Sequence, residues 1–316
     1  MKNLRKNLLV TFFFLLLAVC FLFHAKKTGE FAYIGLKTWF DHMIISLLPF
    51  LILMNLLLKT GLSSLFIRPF SILLRPLFRN TDDAIFVLFF GFLCGFPLGA
   101  KCAVQLYEKG KLSRENAQYL LCFSNNIGPA YMLGFFLGEI ASAQSVYFSL
   151  FVFYGIPLLY GLMLRYSIYK KILDNEYRQS KSASFPNPTA SVMSALPDAI
   201  RDALVQISML GGYMVLFNAL RIVPHLLFSG QRILYIATQS LLEISGGLLC
   251  VKNSVSDGIL QTICLYAVFS FNGFCCHFQT FSILEHTGIS KQKYMLHKTI
   301  LCSITIFFVW IYQILK

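Results

Sequence analysis

Ala84-Ile-Phe-Val-Leu-Phe-Phe-Gly91-Phe-Leu-Cys94-Gly95-Phe96-Pro97-Leu98-Gly99-Ala100-Lys101 begins as a membrane helix and stops being one before it has crossed. A crossing takes about 20 apolar residues. This run is shorter, carries Gly91, Gly95, Pro97 and Gly99, and ends on a charge. In hydrocarbon, an unwound backbone exposes amides and carbonyls at a cost of several kcal/mol each unless protein or water satisfies them. An interrupted membrane segment therefore needs neighbours that cover its break, and the rest of the chain has to supply them.

The composition agrees. Of 316 residues, 57% are hydrophobic and 13% charged, against roughly 45–50% and about 25% in a soluble domain. The Leu, Ile and Phe runs do not alternate, which excludes an outer-membrane barrel, and the low charge excludes disorder. The net charge of +13 comes from 27 Lys plus Arg against 14 Asp plus Glu. The cations sit between apolar runs, where they set topology and meet anionic headgroups, so the partner they imply is a lipid bilayer and not nucleic acid. The cysteines, Cys20, Cys94, Cys102, Cys122, Cys250, Cys264, Cys275, Cys276 and Cys302, lie almost all within apolar stretches and read as small hydrophobes. No CxxC pair or His partner suggests a metal or cofactor. No Walker loop, HExxH, GxSxG or paired-carboxylate constellation suggests an enzyme, and no residue is assigned a catalytic role.

The expected fold class is all-α, a polytopic helical membrane protein made of two related repeats that contain broken or re-entrant helices. Residues 1–30 read as an N-terminal transmembrane helix, 31–168 as the first repeat and the span after it, 169–192 as a basic cytoplasmic linker, and 193–316 as the second repeat. Within the first half, Leu36 to Leu58 reads as a span kinked at Pro49, and Gly61 to Arg79 as an interfacial or re-entrant segment interrupted by Pro69 and Pro76. Ser113 caps a helix that runs to about Ser124, where Asn125-Asn126-Ile127-Gly128-Pro129 breaks it. In the second half the expected elements are a span near Leu204 to Leu220, apolar residues over 233–250 containing Glu243, a broken segment over 259–284, and a last span over 296–315. The halves align with each other. Phe50 and Asn55 pair with Tyr213 and Asn218, Gly95-Phe96 with Gly273-Phe274, and Lys101 with Gln279. The polar turn from Glu108 to Arg114 pairs with that from Glu285 to Lys291.

Matching breaks in two halves are the transporter arrangement, in which half-helix N-termini face anionic groups and freed carbonyls face cations. Pro97 suits the first position of a new half-helix, and Lys101 comes one turn later. A helix N-terminus carries about half a positive charge and Lys101 adds a full one, so a carboxylate-bearing solute is the favoured ligand. The candidate binding residues are Gly95, Pro97, Gly99, Lys101, Asn125, Asn126, Gly128, Asn272, Gly273, His277 and Gln279. Glu243, a carboxylate between apolar neighbours, is the candidate for gating or proton coupling.

Gly95-Phe96-Pro97-Leu98-Gly99-Ala100-Lys101, Asn125-Asn126-Ile127-Gly128-Pro129, Leu242-Glu243-Ile244-Ser245 and Gly273 to Gln279 occur in this order. With them, the stretch from Leu36 to Leu315 resembles the YlbJ-like sporulation integral membrane proteins of the nucleoside-recognition Gate group. The family's Gly-aromatic-Pro-x-Gly-Ala-Lys and Asn-Asn-x-Gly-Pro patterns are complete here. Its Gly-Gly-x-x-Val-His-x-Gln run is looser, with Asn272 for the first Gly and Cys276 for Val, while His277 and Gln279 remain; Asn55 stands where the family carries an acidic residue. The resemblance implies a duplicated Gate fold and export of dipicolinic acid from the mother cell during endospore formation. That would place the chain as a multi-pass protein of the bacterial cell membrane, in the outer forespore membrane. A nucleoside-type carrier and a non-transporting scaffold of spore assembly, in contact through the basic linker, stay open. So does a homo-oligomer or a sporulation membrane protein as partner.

Overall fold

A computed structural model describes residues 2–141, 143–180 and 190–316; the part of the linker over 181–189 lies outside the described residues. The described chain is all-α, and its one piece of strand-like pairing is an isolated bridge between Gly95 and Ile127. Among the described residues, five helices are long and apolar enough to cross a membrane: Ala25–Thr60, Val146–Tyr166, Val192–Phe228, Ile259–Ile283 and Lys291–Leu315. The apolar helix Asn7–Phe23 is shorter and turns Leu9, Phe12, Phe14, Leu22 and Phe23 outward. Exposed rows of this kind on a protein of this composition form a surface wetted by lipid.

Ala25–Thr60 and Val192–Phe228 lie side by side and form the spine. A Cβ on Gly35 would stand 2.6 Å from Met214 O, and one on Gly211 would stand 2.5 Å from the Trp39 ring, so these glycines set how closely the helices approach. The Trp39 indole donates to Ile207 O at 2.8 Å. The first of these helices starts eleven residues before the span read from sequence and winds as a π-helix over Trp39–Ile44.

One further expectation changes. Pro69 and Pro76 do not interrupt the segment after Gly61, since Ser63–Phe78 is one helix. It packs Phe66 and Phe70 on Phe89 of Asp82–Leu93, buries Ile67, Ser71 and Phe78, and turns Leu65, Ile72 and Leu73 outward, and that packing offsets the backbone bonds the prolines remove. The linker read over 169–192 has structure at its start. Its first part, Lys170–Ser180, is a helix with Leu173 buried behind Tyr169. Glu176 accepts from Ser113 Oγ at 2.7 Å and Asn116 Nδ2 at 2.9 Å. Arg165, fully buried, donates to Phe78 O at 2.6 Å and to Asp174 at 2.5 Å, and this bond holds the Asp174 carboxyl below its ordinary pKa. The apolar run over 233–250 breaks at Glu243 into Arg232–Leu242 and Ile244–Ser254.

Candidate functional site

The breaks meet in pairs. In the first half, Asp82–Leu93 gives way to Leu98–Glu108, and Arg114–Leu121 gives way to Pro129–Tyr131 with its π-helical continuation Met132–Ile140. Pro97 occupies the cap position just ahead of the half-helix, one residue earlier than its expected place, after a cis peptide bond from Phe96. The two unwound stretches cross in contact: Phe96 N donates to Asn126 O at 2.8 Å beside the Gly95–Ile127 bridge. Gly95 has φ 76°, and a Cβ there would lie 2.3 Å from Gly128 N and 2.5 Å from Asn126 O, so only glycine fits. Asn125 accepts from Ala100 N at 3.3 Å, which covers an amide of the new half-helix, and donates to Thr280 Oγ1 at 3.1 Å in the second half.

In the second half, the break at Glu243 meets the one between Ile259–Phe271 and Gly273–Ile283. Asn272 takes the left-handed conformation at φ 74° and donates to Ser270 O at 2.7 Å. A Cβ on Gly273 would come within 3.3 Å of Glu243 Cα. Glu243, 3% exposed, caps Ile244–Ser254. Its Oε2 accepts from Gly246 N at 3.0 Å, from Asn218 Nδ2 at 2.9 Å, and from Ser245 Oγ. Behind it the buried Arg221 donates to Asn218 Oδ1 at 3.2 Å, Gln239 Oε1 at 2.5 Å and Gly246 O at 2.9 Å. The carboxylate therefore does what a helix N-terminus favours and fills the amides that the break leaves open.

Two cavities open between the crossings and the spine. One is lined by Pro97, Lys101, Gln206, Tyr213, Gln279 and Ser282 among apolar side chains. The other is lined by Phe96, Gly128, Tyr131, Glu243, Cys276 and Gln279. Gln279, 3% exposed, borders both, with Leu47 and Leu210. Its Oε1 has no hydrogen-bond partner, and neither has Gln206 Oε1. Such buried acceptors are costly unless a ligand or solvent group meets them.

The residues singled out from sequence thus divide. Pro97, Lys101 and Gln279 share one cavity, and Gly128, Glu243 and Gln279 the other. Gly95, Gly99 and Gly273 hold the crossings together through close backbone approach, and Asn125 does so through its side-chain amide. His277 is fully buried, pairs with the Tyr294 hydroxyl at 3.1 Å, and borders neither cavity. Asn126 and Asn272 line a third cavity with Lys298.

Sequence reading missed Gln206 and Lys298. Lys298 is 1% exposed in the last helix. Its signal was the stripe Tyr294, Lys298, Leu301 and Thr305, which keeps to the helical period and is buried throughout.

No family model matches the chain, and no solved structure matches it. The sporulation integral membrane protein YlbJ of Bacillus subtilis (strain 168) is 27% identical over 331 residues, which cover 93% of this chain and 80% of that protein. The chain is thus similar over most of its length to a protein named as an integral membrane protein of sporulation, and its long apolar helices agree with that class.

Proposed function

We propose that this protein is a membrane transporter that binds a small anionic solute between its two halves, in the cavity shared by Lys101 and Gln279. The observation that carries the reading is the convergence of broken helices from both halves on a cavity lined by Lys101 and by the amides of Gln206 and Gln279. Lys101 lies in the first turn of Leu98–Glu108, so the ammonium and the half-helix N-terminus act on the same region. The amide groups of Gln206 and Gln279 can each present a donor as well as an acceptor to a solute. The rest of the wall is apolar, as an aromatic or aliphatic solute body requires.

The finer reading rests on the resemblance and on the named relative. It is export of dipicolinic acid from the mother cell during endospore formation, at the outer forespore membrane, by two duplicated Gate-type repeats. An aromatic dicarboxylate suits a site with one cation, amide donors and an apolar wall. The alignment of Gly95 with Gly273 and of Ser113 with Ser290 supports the duplication. Both glycines have left-handed φ, and each serine caps the helix directly after it.

The test is uptake of labelled dipicolinate by proteoliposomes holding the purified protein, with uridine and a simple dicarboxylate as competitors. Saturable uptake is expected, with dicarboxylates competing better than uridine. Lys101→Ala should lower it about tenfold or more, the loss that removal of one charged hydrogen bond brings. Competition by uridine alone would turn the reading to a nucleoside carrier. Absence of any flux from folded protein would remove the transporter reading.

A further inference from the structure

The buried ammonium of Lys298 has an unusual set of partners for a lysine at this depth. Nζ donates to Asn125 O and to Asn126 Oδ1, the latter at 2.7 Å, and stands 5.1 Å from the centroid of the Phe96 ring. Among the described residues it forms no ion pair with any carboxylate. Its surroundings are a main-chain carbonyl freed by a helix break, a neutral amide oxygen and an aromatic face. Freed carbonyls and aromatic faces are what a monovalent cation seeks in a membrane interior. A neutral side chain would fill the same volume without the desolvation cost of a charge.

The source of that charge is also informative. Asn125, Asn126 and Phe96 belong to the first crossing, while Lys298 comes from the last helix, whose other buried groups Tyr294 and Leu301 pack on the second half's break and on the small cavity beside it. We infer that Lys298 is a tethered substitute for a dissociable monovalent cation, filling from within the chain a cation site formed by the first crossing. The site thus needs no sodium or potassium from solution, and its cation arrives only when the last helix docks. The inference stands on this geometry and is independent of which solute, if any, the protein moves.

The test reads stability and not transport. The full chain, purified in detergent, is melted in sodium, potassium or choline chloride at one ionic strength, as wild type and as Lys298→Ala and Lys298→Met. Wild type should melt at the same temperature in all three salts. Lys298→Ala, which vacates the site, should melt several degrees lower in choline. It should recover at least half of that loss, saturably, on addition of sodium ion or ethylammonium. Lys298→Met, which fills the space without charge, should melt lower and not recover. A wild-type midpoint for Lys298→Met, or a Lys298→Ala loss that neither cation reverses, overturns the inference. Should Lys298→Ala not fold, Lys298→Arg decides. It keeps the charge and should melt within a few degrees of wild type, and a midpoint as low as that of Lys298→Met overturns the inference.

Discussion

At the first crossing, backbone bonds to backbone: Phe96 N reaches Asn126 O, and Gly95 pairs with Ile127. At the second, a side chain stands where that backbone contact would be, and Glu243 collects an amide, an asparagine and a serine. The charges are opposed as well. The first crossing leaves acceptors and is served by the ammonium of Lys298, whereas the second leaves donors and is served by a carboxylate. The same physical problem, an unwound helix away from water, is solved once by close approach plus a cation and once by a looser approach plus an anion. The close approach is possible because Gly95, Gly99 and Gly128 have no Cβ to separate the chains.

This comparison can be broken at three points. The largest effect belongs to Gly95→Ala, where left-handed strain adds to a clash with Gly128 N and Asn126 O. The loss should be roughly 3 kcal/mol or more, seen as a collapse in the yield of folded protein and in its melting temperature. Glu243→Gln should come next, at about 2 kcal/mol, because the amide keeps one acceptor but loses the charge that meets the half-helix N-terminus and faces Arg221 through Asn218; detergent melting reads it. Gly273→Ala should be mildest, at about 1 to 2 kcal/mol, since its Cβ would meet Glu243 Cα at 3.3 Å. Equal losses for the two glycine variants would mean that the crossings are held in the same way after all.

The same contrast explains what could be read from sequence. The first crossing announces itself through Gly-Phe-Pro-x-Gly and Asn-Asn-x-Gly-Pro, residues that end helices for reasons of backbone geometry alone. The break at Asn272 was legible through the Asn-Gly pair and its alignment with the first half. The break at Glu243 was not, because Leu241-Leu242-Glu243-Ile244 contains neither Pro nor Gly and interrupts the helix through a side chain that caps Ile244–Ser254. Lys298 was hidden by its place in the first turns of a terminal helix, where a lysine is ordinarily read as reaching for the interface. Gln206 carried no local signal at all. It gains meaning only because Ala25–Thr60 lies beside its helix and leaves a cavity between them.

The Trp39 indole, bonded to Ile207 O and seated on Gly211, joins the two helices that wall both cavities. The chain has only one other tryptophan, Trp310, which is half-exposed on the last helix. Replacing Trp310 with phenylalanine would therefore leave a single tryptophan, at the seam. Its emission colour would act as a gauge of whether that seam is shut, legible in real time and without any label.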